Sequence, residues 1–313
     1  MGTIHQLVRD HGREAARELV PEEDRRLVDL AAEILANPSS AFNITYSGFC
    51  LTALPHKALD DSAKWERQGH NVSLLIEPGS LPDGRGGFKQ FGVPYGSRAR
   101  LIMLYLQTRA IQTGCPEVEL GGSMRDWMSR MGVPIGGSSY RVVRDQADRI
   151  SACHLTFSWH GPDAGRGAKF SKESIVDGGI QLYEDDDTQP RLWVDTVRLS
   201  ASFFKALREH PVPIWEPALK SISSRSMAID LYVWLSYRLH SLSKPMPITW
   251  SALYAQFGAG YKNLFQFKPR LIESLKFVLA VYPDAKVTLE GDGVVLHHSP
   301  SPVPEKAPRG ILR

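Results

Sequence analysis

The sequence predicts an α+β protein in which one small domain, three helices followed by a β-hairpin, occurs twice in tandem behind a smaller helix-plus-strand module. Three observations predict it. Ser97-Arg98-x-x-x-Ile102-x-Leu104-Tyr105 returns as Ser224-Arg225-x-x-x-Ile229-x-Leu231-Tyr232. A tryptophan-bearing segment follows each copy, Met124-Arg125-Asp126-Trp127-Met128 to Gly132 and Trp250-Ser251-Ala252-Leu253-Tyr254 to Gly258. A third amphipathic segment comes next in both, with Ile150 and Leu275 as late apolar anchors. The offset drifts from 127 to 125 residues while the order holds, as it does when duplicated domains differ in loop length.

Residues 1–96 form the N-terminal module. Apolar spacing predicts a helix over 13–35, with Pro21 resetting an early turn and Asn37-Pro38 ending it. β-branched and aromatic alternation predicts strands over 43–54 and 72–76, which could pair as a hairpin across the polar span 55–71. The glycine-rich stretch 78–96 reads as a connector.

In the first repeat, residues 97–199, Ser97 is expected to cap a helix running to 113, stopped by Gly114-Cys115-Pro116. A short strand over 117–120 follows, then a Trp127 helix capped by Ser123 and broken at Gly132-Val133-Pro134. Gly136-Gly137-Ser138-Ser139 launches a third helix to 150, and a strand over 153–159 leads into a glycine-rich basic loop, 161–169. Further strands are expected near 180–183 and 191–194. The second repeat, residues 200–299, repeats the plan. Its first helix covers 224–242, Thr249 caps the next, and Lys268-Pro269 opens a third reaching 281, proline being tolerated in a first turn. A hairpin, 286–289 with 294–297, turns at Glu290-Gly291-Asp292-Gly293. Residues 300–313 read as a flexible tail. Three helices and then a hairpin with a basic glycine-rich loop is the order of a winged helix, so the expectation is two tandem winged-helix domains.

Composition bounds the function. With 42% apolar and 23% charged residues, the 313-residue chain is ordinary for a soluble protein of two or three domains. No apolar run approaches the ~18 residues of a membrane span, and residues 1–10 lack the apolar core of a leader. A cytoplasmic protein is expected. Cys50, Cys115 and Cys153 are far apart and fit neither a disulfide framework nor a metal site, so they read as reduced packing residues. The net charge of +3 is unevenly spread: residues 97–160 hold eight arginines, no lysine and five acids, and residues 200–299 hold eleven cations against seven acids.

Candidate contacts follow from helical faces. In the third helix of the first repeat, Tyr140, Val143, Ala147 and Ile150 share the inward face, leaving Arg141, Asp145 and Arg149 outward, Arg144 on the flank and Ser138 near the start. In a winged helix this element enters the major groove, where arginine can bind guanine O6 and N7 together. Asp145 either accepts from cytosine N4 or pairs with Arg141 and Arg149 along the helix. Arg166 and Lys169, among Gly161, Gly165 and Gly167, suit a phosphate backbone or minor groove. In the second repeat Lys262, Lys268, Arg270 and Lys276 flank the third helix, and Phe277 on its outer side is unexplained by that reading. The acidic turn 290–293 should contribute little.

Catalysis is not expected. No GxxxxGK[ST] phosphate loop, GxSxG or HExxH occurs, and the adjacent His297-His298 point to opposite faces of a strand rather than forming a His-x-His metal pair. No cofactor and no metal are implied.

Several segments resemble the RepA-type plasmid replication initiators that share a RepA C-terminal domain. They are Thr52-Ala53-Leu54-Pro55-His56, the run from Gly92 to Ile102, Arg130-Met131-Gly132-Val133-Pro134-Ile135-Gly136-Gly137, Trp250 to Gly258, and Val281-Tyr282-Pro283-Asp284-Ala285. The resemblance implies binding of directly repeated double-stranded DNA at a plasmid origin, opening of an adjacent A·T-rich segment, and recruitment of host replication proteins. Two tethered winged helices fit asymmetric direct repeats, whereas a symmetric dimer fits a palindrome. The N-terminal strands offer edges for a homodimer. A winged-helix transcriptional repressor without initiator activity is the alternative, and a scaffold that binds no DNA is a third.

Overall fold

The computed structural model describes residues 3–160, 169–177 and 196–303. Helix and sheet mix along the chain, so the protein is α+β. Helices α1 (Thr3–Glu18) and α2 (Arg25–Leu35) precede strand β1 (Phe42–Tyr46) and the short α3 (Ser47–Leu51). Strands β2 (Trp65–Gly69), β3 (Val72–Glu77), β4 (Gly79–Pro82) and β5 (Phe88–Phe91) follow. The first repeat supplies α4 (Gly96–Thr113), β6 (Glu117–Glu119), α5 (Met124–Arg130) and α6 (Gly137–Ala152), then β7 (His154–Trp159), β8 (Lys169–Ser174), β9 (Val176–Asp177) and β10 (Thr196–Leu199). After α7 (Ala201–Glu209), β11 (Pro211–Trp215) and α8 (Glu216–Ser221), the second repeat supplies α9 (Ser226–Arg238), β12 (Met246–Thr249), α10 (Trp250–Phe257), α11 (Leu264–Val281), β13 (Val287–Glu290) and β14 (Gly293–Leu296).

The chain folds as two compact units, one made of residues 44–211 and the other of 1–43 with 212–308. The expected N-terminal module, 1–96, is therefore divided between them. Its physical cause is visible in α2, whose buried stripe of Leu27, Val28, Leu30, Ala31 and Ile34 packs against α8 and α11. Periodicity says which face a helix must bury, not against what. The single helix expected over 13–35 is two, broken around Pro21, and Arg13 and Arg17 of α1 both pair with Asp29 of α2.

In the unit of residues 44–211, α4 is buried on nearly every side, with Ile102, Leu106 and Ala110 fully enclosed. Two of its polar side chains fasten the incoming chain: Thr108 Oγ1 accepts from the Ile44 amide at 2.8 Å and Gln107 Oε1 from the Tyr46 amide at 2.7 Å. Ser97 is not a cap. The helix already includes Gly96, whose left-handed φ of +72° lets its amide reach Pro55 O at 2.9 Å. Arg100 is only 5% exposed and donates to the carbonyls of Leu54, Pro55 and Gly96.

Strand pairing differs from expectation. The four-stranded antiparallel sheet has the order β2-β3-β7-β8, so β3 pairs with β2 and β7 rather than with a strand over 43–54. Alternation decides the inward face of β3: Val72, Leu74 and Ile76 are fully buried and their neighbours are not. The hairpin that directly follows α6, β7 with β8, therefore extends this sheet. The strands that sit with β6 are β9 and β10, in the order β6-β10-β9. The loop 161–168, the strands expected near 180–183 and 191–194, and the acidic run 184–187 lie outside the described residues.

The other unit repeats the order helix, strand, helix, helix, strand, strand. Its sheet, β12-β14-β13, has the same first-last-middle arrangement with both pairs antiparallel. Residues matched by the repeat are buried in both: Ile102 with Ile229, Leu104 with Leu231, Tyr105 with Tyr232, Trp127 with Leu253, Ile150 with Leu275. The caps also match. Ser123 accepts from the Asp126 amide and Thr249 from the Ala252 amide, each at 3.2 Å. The third helix starts earlier than expected, because Asn263 accepts from the Gln266 amide at 3.0 Å and caps at 263. Pro269 thus falls in the second turn and leaves Phe265 O without its usual helical donor.

Candidate nucleic-acid interface

Helix α6 is aimed by its own composition. Val143, Ala147 and Ile150 are fully buried, with Tyr140 half-buried beside them, so the inward face is as expected. Gln146 is also buried, its Oε1 accepting from the Tyr95 amide at 2.7 Å, which fixes the helix against the run that precedes α4. On the outer surface Ser138 and Arg141 are exposed and Arg144 is half-buried. Arg141 has no carboxylate partner among the described residues.

Arg149 departs from its expected role. Its side chain is 11% exposed, its Nε donates to Asp145 at 2.9 Å, its Nη1 donates to Asp61 at 2.9 Å, and its guanidinium lies 5.2 Å from the Tyr95 ring centroid. Of the two arginines expected as its helical partners, Asp145 pairs with Arg149. Helical periodicity placed Arg149 on the outer face, but the segment carrying Asp61 closes over the last turns of α6.

Helix α11 shows the same split. Lys262 and Arg270 are exposed near its start, Arg270 with a 3.2 Å contact to Glu273. Lys268 lies over the Trp250 ring at 4.4 Å, and Lys276 pairs with Asp24 at 3.0 Å, so both are spent on packing α11 against its own unit. Phe277 is buried, 8% exposed, and capped by the Arg225 guanidinium at 3.6 Å, which explains both the phenylalanine and the arginine of the second Ser-Arg motif. Leu264 and Phe265, at 36% and 87% exposure, stand at the outer start of the helix, a feature the charge-based reading passed over.

Lys169 opens β8 opposite Trp159, in the sheet of β2 and β3, and Arg166 lies outside the described residues. The short acidic turn between β13 and β14 receives Trp250, whose Nε1 donates to Gly291 O at 2.9 Å. Cys50 and Cys153 are buried, which pushes their thiols up, that of Cys153 to about 12. Among the described residues no cluster of three His, Cys, Asp or Glu could hold a metal, and no helix is long and apolar enough to cross a membrane.

Residues 93–251, half of the chain, match the family model described as plasmid encoded RepA protein. No curated protein sequence matches the chain. The crystal structure of domains 2 and 3 of RctB, determined on selenomethionine derivatives, aligns over 80% of this chain and 98% of that one, at 15% identity and a TM-score of 0.51. A second structure of RctB domains 2–3, residues 155–483, aligns over 78% and 92% at 16% identity and a TM-score of 0.39. At that identity the first likeness is one of fold.

Proposed function

The chain belongs to the family of plasmid-encoded RepA proteins, and from that premise we propose that it is a replication initiator acting in the cytoplasm by binding duplex DNA, not by catalysis. In this reading each unit carries one winged helix, and α6 and α11 are its recognition helices. The observation that supports it best is the repeated order of three helices and a three-stranded sheet, with cations left exposed on the outer start of each third helix, Arg141 in one and Lys262 and Arg270 in the other. Recognition helices enter the major groove with their N-terminal residues on base edges. Ser138, Arg141 and Arg144 are assigned to the first groove and Lys262 and Arg270 to the second; Arg149, Lys268 and Lys276 position the helices instead.

Two covalently joined, non-identical readers suit directly repeated, asymmetric sites at a plasmid origin, and one chain should protect about two helical turns, roughly 20 bp. Opening of an A·T-rich neighbour, recruitment of host replication proteins and pairing of two copies through the β2 edge complete the reading. Footprinting on DNA flanking the gene tests it. Protection of successive direct repeats supports an initiator, an isolated palindrome supports the repressor, and no protection on any fragment defeats both.

A further inference from the structure

The stretch that reads as a glycine-rich connector folds as a two-stranded ribbon, β4 with β5, paired Gly79 to Phe91, Ser80 to Gln90, Leu81 to Lys89 and Pro82 to Phe88. Its base is fixed to α6. A Cβ at Gly79 would stand 1.9 Å from Ala152 O, so only glycine permits this approach. Gln90 Nε2 donates to Asp61 O at 3.1 Å, in the residue whose carboxylate holds Arg149. The tip is equally defined. Asp83 Oδ1 accepts from the amides of Arg85 at 2.8 Å and Gly87 at 2.9 Å, and Gly84 and Gly86 supply the left-handed φ values of +73° and +88° that the turn needs.

This built tip presents an unusual set of side chains. Pro82 and Phe88 face each other across the last pair and both are exposed, Phe88 at 77%. Arg85 is exposed in the turn and Lys89 is exposed one residue beyond Phe88, its Nζ 4.9 Å from the Phe91 ring centroid, while Asp83 is occupied by the turn. An apolar end flanked by cations on a narrow ribbon has the chemistry of a minor-groove wedge, in which cations meet phosphates and an apolar side chain enters between base pairs. We propose that β4–β5 is a second DNA-contacting element: Phe88, backed by Pro82, partly unstacks one base step while Arg85 and Lys89 neutralise the flanking phosphates. This rests on the duplex-binding reading and deepens it, since a kinked, unstacked step is where strand opening would begin.

The test uses the full chain and the duplex located by footprinting, with 2-aminopurine scanned through the site and dyes on the duplex ends. Wild type should brighten 2-aminopurine at one step and shorten the end-to-end distance. Phe88→Ala should lose both signals while affinity changes less than about tenfold, 1.4 kcal/mol. Arg85→Ala and Lys89→Ala should each lower the salt-dependence slope by about 0.9. Unchanged melting by circular dichroism shows that all three variants fold. Bending and brightening that persist in Phe88→Ala, or that are absent when wild type binds, overturn the wedge and leave duplex binding standing. An effect of Phe88→Ala confined to single-stranded oligonucleotides also overturns it, assigning the tip to unpaired bases. Failure of the wild type to bind any duplex fragment defeats both readings.

Discussion

Helices α6 and α11 occupy the same place in their repeats and divide their length the same way. Late in each, a cation is tied to a carboxylate that precedes the first repeat in the chain: Arg149 to Asp61, Lys276 to Asp24. Early in each, the outer surface is left open, but with different chemistry. Helix α6 offers Ser138 and Arg141, small and charged; α11 offers Lys262, Leu264 and Phe265, with aromatic and aliphatic surface beside the charge. The late turns are docking surfaces for the two halves of the N-terminal region, and the early turns are what remains for a ligand. Under the proposed duplex-binding function, helices with different early turns would not recognise the same half-site, which is what asymmetric sites require.

The largest effects should come from the tryptophans of the two second helices, which stand at different positions, Trp127 fourth in α5 and Trp250 first in α10. Trp127 is wholly enclosed, whereas Trp250 is 6% exposed and carries Lys268 on its face. Trp127→Ala should cost about 3–5 kcal/mol in denaturant unfolding of its unit, and Trp250→Ala should fall toward the lower end of that range. Equal losses would break the link between that difference in exposure and the cost of removal. Next comes the division of α6. Arg141→Ala should weaken duplex binding by about 1–3 kcal/mol with unchanged thermal stability. Arg149→Ala should instead reduce stability by roughly 1–2 kcal/mol, discounted because Asp61 is 55% exposed. Reversal of that pattern would return Arg149 to the interface.

Smaller effects test whether the copies share local construction. Ser123→Ala and Thr249→Ala each remove an equivalent cap and should each cost about 1 kcal/mol. The gentlest test is a pH slope in the unit that holds α1. Burial, partly offset by the hydrogen bond to Ala280 O, holds the His5 imidazole below its usual 6.5. The unfolded chain then takes up the proton first, so stability should fall as pH drops through 6.5 toward the lower folded value. Unfolding of His5→Gln compared with wild type should show that slope removed.

Much of this construction was legible in the residues. The matched anchors of α4 and α9, the Ser123 and Thr249 caps, the β13–β14 hairpin and the inward face of α6 are local, and local chemistry sufficed for them. The pairing of β7 with β3, the ribbon folded by the supposed connector, and the closing of Asp61 over Arg149 were not legible. Each depends on a segment distant in sequence, and no periodicity in α6 carries information about where Asp61 will arrive. The Lys268–Pro269 start of α11 failed for a smaller reason: Asn263 is a strong cap, and it outweighed the tolerance of proline for a first turn.

What the chain's own residues determined was the duplication and the face each third helix turns inward, because a buried stripe of fixed period is a property of the segment itself. Only the tertiary structure decided which outward cations stay open. An arginine on an outer face is free or spent according to whether a carboxylate is brought to it, and that depends on packing between elements far apart in sequence.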